Sequence, residues 1–109
     1  MSLLSRLTGD TLPSVDVTTA HNRPRGTLLL DVREQSEWSS GHAPAAYHQR
    51  LGVLDPAKLP KADAIYVICR SGNRSARATQ RLREAGIEAY NVTGGMAAWA
   101  SARLPIDFS

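Results

Sequence analysis

A chain of 109 residues with 42% hydrophobic and 21% charged residues suits one compact domain and is too apolar for a disordered chain. The net charge of +3 is mild, and the only dense basic cluster is Arg70, Arg74, Arg77, Arg81 and Arg83, without the aromatic-interleaved stripe of a nucleic-acid binder. The single cysteine rules out an intrachain disulfide and a Cys-rich zinc site, and no apolar run approaches the roughly 20 residues that cross a bilayer.

Residues 1–12 read as a polar lead-in. Leu3, Leu4 and Leu7 sit at helical spacing there and predict a short helical turn. No continuous apolar core of a secretory signal occurs, so a soluble, cytoplasmic protein with a reduced thiol is expected. Residues 13–109 are expected to form a single domain, since repeats, linkers and low-complexity tracts are absent.

In chain order, a weak strand signal at Ser14-Val15 precedes a short helix over Asp16–Asn22. Thr27–Val32 is a continuous apolar run, the mark of a strand buried on both faces. A helix fits Glu34–Ser40, stopped by Gly41, and a second weak strand signal falls at Tyr47-His48. Ala64–Cys69 is the most β-rich run, with Ile65, Tyr66, Val67 and Ile68. The clearest helix runs from Ser75 to Ala85, with Gly86 as its stop. Ala89–Val92 is a third buried strand, and the last helix covers Gly95–Ala102, with Met96, Trp99 and Ala100 on one face as core residues. Strands alternating with helices predict an α/β fold with a parallel sheet and helices on both faces. In such sheets sites form at the carboxyl ends of strands, and Cys69 ends one.

The segment Cys69-Arg70-Ser71-Gly72-Asn73-Arg74-Ser75 has the makings of an anion cradle. Gly72 allows backbone turns that aim successive amides at one centre. The following helix adds unpaired N–H groups and the positive end of its dipole. Arg70 and Arg74 add full charges, and Arg74 suits bidentate capture of an oxyanion. Ser71 and Ser75 offer hydroxyls, Ser75 also as helix N-cap. A thiol placed there ionises early, and the thiolate is the nucleophile. Taken alone, a cysteine ending an apolar strand is more often a small buried hydrophobe.

Three motifs in order resemble the rhodanese (sulfurtransferase) family. Leu30-Asp31-Val32-Arg33-Glu34, Glu37-Trp38 and Gly41-His42-Ala43-Pro44 look like its first signature. The Cys69–Ser75 segment is similar to its active-site loop, and Thr93-Gly94-Gly95-Met96-Ala97-Ala98-Trp99 looks like its C-terminal signature. The resemblance spans about Pro13 to Pro105. It implies a three-layer sandwich with a central five-stranded parallel sheet and helices on both faces. It also implies transfer of sulfane sulfur from a donor such as thiosulfate to a thiophilic acceptor, cyanide or a thiol, through a Cys69 persulfide cradled by the amides of Arg70, Ser71, Gly72, Asn73, Arg74 and Ser75. Ala45 stands where the family often has Gly, and Tyr47–Leu51 lacks a Pro often found there.

Asp31 and Arg33 are supporting candidates, most simply an ion pair that fixes loops. Glu34 and Glu37 read as early-helix carboxylates. His42 and His48 are acid/base candidates, and a Cys/His pair stays open, with His42 more simply structural; neither has neighbours at metal-ligand spacing, so no metal and no cofactor are expected. Arg77 and Arg81 read as a solvated helix face or a steering patch for anions. The expected partners are a small-molecule sulfur donor and a small-molecule or protein thiol acceptor, with no nucleic acid and no membrane. Two competing readings stand beside this one. A phosphatase or arsenate-reductase loop has five residues between Cys and Arg where this chain has Arg70 to Asn73, a smaller enclosure better matched to one sulfur. A non-catalytic docking or sulfur-relay module would share the same fold.

Overall fold

Parallel strands buried on both faces need helical crossovers, and the chain supplies them in sequence. The structure, a computed structural model, describes residues 12–109. The helical turn expected at Leu3–Leu7 lies outside the described residues. The elements are β1 (Ser14–Val15), α1 (Val17–His21), β2 (Thr27–Asp31), α2 (Gln35–Ser39), β3 (Tyr47–His48), β4 (Ala64–Ile68), α3 (Asn73–Glu84), β5 (Ala89–Val92) and α4 (Gly95–Ser101). Two 3₁₀ turns, Leu51–Val53 and Pro56–Lys58, link β3 to β4 and lack the periodicity that would reveal them in sequence.

The five strands form one sheet in the order β1-β5-β4-β2-β3, and every pairing is parallel. This is the central five-stranded parallel sheet with helices on both faces that the motifs imply. Successive side chains alternate faces. Leu30, Val32, Ile65, Val67 and Ala89 pack with Ala78 and Leu82 of α3 on one side. Leu29, Ile68 and Val92 pack with Val17 and Ala20 of α1 and Met96 and Trp99 of α4 on the other. Trp99 is fully buried, and its indole N–H donates to Pro105 O at 2.7 Å.

Several boundaries differ from expectation by a residue or two, for identifiable reasons. β2 stops at Asp31 and β4 at Ile68 because the chain leaves the ladder there: Val32 N still reaches Ile68 O at 3.0 Å, but Cys69 O turns to Met96 N at 2.8 Å. Helix α2 begins after Glu34, which caps it in a reciprocal box with Glu37. Asp16 caps α1 through Thr19 N at 2.8 Å. Helix α3 begins at Asn73, not Ser75. Its N-cap is Gly72, whose φ of 108° only glycine adopts cheaply, so Ser75 lies inside the first turn.

Candidate active site

Register places Ile68 at the carboxyl end of the central strand, beside Asp31. The next residue, Cys69, therefore sits at the middle of the sheet edge and beneath the first turn of α3. Cys69 is 1% exposed, and its sulfur lies at the focus of the loop. Gly72 N donates to Sγ at 3.1 Å and Ser75 N at 3.3 Å, and Ser75 Oγ lies 3.2 Å away. These are first-turn amides of the kind that α-helices leave without intrahelical partners.

Burial pushes the Cys69 thiol up. The Ser75 hydroxyl and the amides of Ser75, Gly72 and Ser71 pull it down, and the net direction is below the ordinary thiol value. The site thus favours negative charge on sulfur with neutral dipoles at short range.

Two of the loop's carbonyl oxygens are engaged elsewhere. Cys69 O accepts from Met96 N at 2.8 Å and Arg70 O from Ala97 N at 3.0 Å, so the start of α4 holds the back of the loop. Gly95 makes this approach possible, since a Cβ there would collide with Cys69 O and the Arg70 carbonyl. The second of the paired glycines is thus a contact surface for the loop.

The charged candidates divide. The Arg74 guanidinium lies beside the loop but is committed: Nη1 donates to Glu37 Oε1 at 2.7 Å and Nη2 to Oε2 at 2.9 Å. The bidentate grip expected for a substrate oxyanion is taken by the Glu37 carboxylate of α2. This corrects the expectation that Arg74 is a free anion receptor. The Arg74 partnership holds the Glu37 carboxyl at about 2, well below its ordinary 4.5, and raises Arg74 above the ordinary arginine value. Arg70 is exposed and makes no side-chain hydrogen bond or ion pair among the described residues. It borders a groove of about 450 Å³ with Arg33, Ser36, Glu37, Ser40, Met96 and Ala97.

Asp31 and Arg33 form a buried pair. Arg33 Nη2 lies 2.8 Å from Asp31 Oδ2, and the same nitrogen donates to Gly41 O at 2.8 Å. The pair ties the end of β2 to the turn after α2. Ser71 and Asn73 are exposed on the loop. His42 and His48 both stack on Trp38, with ring centroids 3.5 Å and 4.8 Å apart, and His48 Nε2 meets Arg33 O at 2.7 Å. Neither histidine makes a hydrogen bond to the Cys69 sulfur among the described residues. Arg81 reaches Leu54 O at 3.3 Å and so joins α3 to the 3₁₀ segment.

One residue at the site was not a candidate. Asn91 of β5 is buried, takes the Ser75 hydroxyl proton on Oδ1 at 2.6 Å and donates from Nδ2 to Gly72 O at 3.3 Å. The available signal was a polar residue inside an apolar strand, which needs a partner.

The rhodanese-like domain model matches residues 16–102, a span that includes all three motifs and the whole loop. The chain belongs to the rhodanese-like family. "Thiosulfate sulfurtransferase 16, chloroplastic" of Arabidopsis thaliana is 37% identical over 108 residues, covering 84% of this chain and 90% of that protein. An uncharacterized protein of Synechocystis sp. is 42% identical over 81 residues, and the match takes in 72% of this chain but only 45% of the longer relative. Among solved structures, a rhodanese-related protein from Thermoplasma volcanium superposes with a TM-score of 0.83 at 26% identity, covering 89% of this rhodanese-like chain and 99% of the other. The family supports sulfur transfer as the general chemistry of this domain.

Proposed function

We propose that this rhodanese-like domain moves sulfane sulfur through a persulfide on Cys69. The observation that carries the reading is the convergence of Gly72 N, Ser75 N and Ser75 Oγ on one buried sulfur, with the Cys69 and Arg70 carbonyls engaged by the start of α4. The Cys69 thiolate attacks the outer sulfur of a donor such as thiosulfate. A Cys69 S–S bond forms, the donor's S–S bond breaks, and sulfite leaves with the bonding pair. The persulfide keeps one negative charge on its outer sulfur, where the first-turn amides hold it. A thiophilic acceptor then attacks that outer sulfur. With cyanide the products are thiocyanate and the regenerated thiolate. The chain has one cysteine, so no second thiol within it can resolve the persulfide and the acceptor comes from outside. Arg70 is the cation that meets an anionic donor at the rim, Arg74 ties the loop to α2 through Glu37, and the Asp31–Arg33 pair fixes the end of β2 against the turn after α2.

The test is intact-mass measurement after thiosulfate treatment. One added sulfur is expected on the wild-type chain, removable by cyanide and absent in Cys69→Ser. An unmodified wild-type mass under trapping conditions supports a docking module instead. Turnover of a phosphate monoester would support the phosphatase reading.

A further inference from the structure

Asn91, Ser75 and Cys69 form a hydrogen-bonded chain whose protons serve every acceptor only while the thiol is neutral. Ser75 Oγ lies 2.6 Å from Asn91 Oδ1 and 3.2 Å from Cys69 Sγ. A serine hydroxyl has one proton, and an amide oxygen only accepts. The amide orientation follows from its other end: Nδ2 donates to Gly72 O at 3.3 Å, and the flipped amide would set two oxygens against each other. With a neutral thiol every group is served. The S–H points at Ser75 Oγ, and the Ser75 proton points at Asn91. Once sulfur is ionised, both Sγ and Oδ1 are acceptors, and one proton remains between them.

We propose that Asn91 is a positioning residue that competes with Cys69 Sγ for the single Ser75 hydroxyl proton, and so limits how firmly the site holds negative charge on the inner sulfur. If the hydroxyl turns to the thiolate, it gains a charge-assisted bond and orphans a buried amide oxygen. The hydroxyl's pull on the thiolate is thus offset by the amide oxygen it leaves, the two effects being of similar size, and the net lowering at the sulfur rests on the backbone amides of Ser75, Gly72 and Ser71. In the persulfide the charge sits on the outer sulfur, within the amide cradle. The inner sulfur is then a weak acceptor, and the Ser75 proton returns to Asn91 without loss. The arrangement therefore favours the loaded state over the empty thiolate and keeps the thiolate a strong nucleophile, because nucleophilicity falls as thiol acidity rises. This deepens the persulfide reading and rests on it for its meaning.

The charged groups around the sulfur are Arg70 in the loop, Arg74 on α3 with Glu37 of α2 upon it, and the Asp31–Arg33 pair at the end of β2. On β5 and at the start of α4 the neighbours are the neutral Asn91, Met96 and Ala97. The substitutions below leave all of these charges in place.

The experiment is the pH profile of thiolate absorbance and of iodoacetamide alkylation on the sulfur-free full chain, with Cys69→Ser as blank. Asn91→Leu removes the competing oxygen at similar size, and Gly72 O keeps Ala76 N as a donor at 3.1 Å. The midpoint is expected to fall by about one pH unit, about tenfold more thiolate at a given acidic pH. Ser75→Ala in that background should return the midpoint upward by about as much. Ser75→Ala alone should move it by less than about half a unit, since gain and loss nearly cancel in the native trio. An unchanged or raised midpoint in Asn91→Leu overturns the proposal. So does a rise of about one unit or more in Ser75→Ala alone, and this second variant decides the matter if Asn91→Leu does not fold. The profile uses no sulfur donor, so its failure is distinct from failure of the persulfide mass experiment.

Discussion

Glu37→Gln is the sharpest probe of how the loop is held. The substitution keeps Oε1, which accepts from Glu34 N at 3.0 Å in the capping box, and removes the charge that faces Arg74. Lowering a carboxyl from 4.5 to about 2 corresponds nominally to about 3 kcal/mol at ~1.36 kcal/mol per pH unit. The two side chains are 32% and 28% exposed, however, and solvent screening reduces such a pair to about 1 kcal/mol. For a domain of this size that is a fall of about 5 °C in Tm at neutral pH. Glu37 is depressed in the folded state, so the unfolded chain binds the extra proton as pH falls below about 4.5. The stabilisation is complete above that range and is lost as pH falls through about 2. Thermal melts of wild type and variant from neutral to strongly acidic pH should therefore converge. A gap that stays constant down to the acid end, or no gap at neutral pH, refutes the ion-pair account. Freed from Glu37, Arg74 also becomes available to anions, so the apparent affinity for thiosulfate should rise in the same variant.

Three further predictions concern the frame of the site. Gly95→Ala places a Cβ against the Cys69 and Arg70 carbonyls at a φ of 56°, and should cost about 2 kcal/mol or more in urea melts; a loss under about half a kcal/mol would show that the loop yields freely. Ala45→Gly relieves an exposed alanine held at φ 63°, and a gain of about 0.5–1 kcal/mol is expected after the added chain entropy of glycine is subtracted; destabilisation would refute the strain. Asp31→Asn leaves the buried Arg33 side chain, 8% exposed, without its counter-charge and should cost about 3 kcal/mol, read as a lowered denaturation midpoint.

The strands and most helices were legible because their cause is local. Buried parallel strands show as unbroken apolar runs, and even the two-residue strands Ser14–Val15 and Tyr47–His48 carried a signal. The loop around Cys69 was legible for the same reason: glycine, basic residues and hydroxyls lie within seven positions of one another. What could not be read was pairing across the fold. Nothing in the spacing of Arg74 and Glu37, 37 residues apart, says that one neutralises the other. The Ser75–Asn91 bond spans 16 residues and needs the β4–β5 register to be known first. The left-handed Ala45 shows the converse, a departure from the family's glycine that the backbone absorbs by taking the glycine-like conformation.

The position of β4 carries a consequence for motion. It is the third of five strands, with β5 and β1 on one side and β2 and β3 on the other. Fraying of the outer two-residue strands exposes their own amides without disturbing the hydrogen bonds of Ala64–Ile68. Amide exchange along the central strand is therefore expected to be slower than along the outer strands, and Cys69 follows its last residue. The sulfur is anchored at the end of the central strand, while the Arg70 side chain, one residue further on, has no side-chain partner among the described residues and can meet what arrives at the rim.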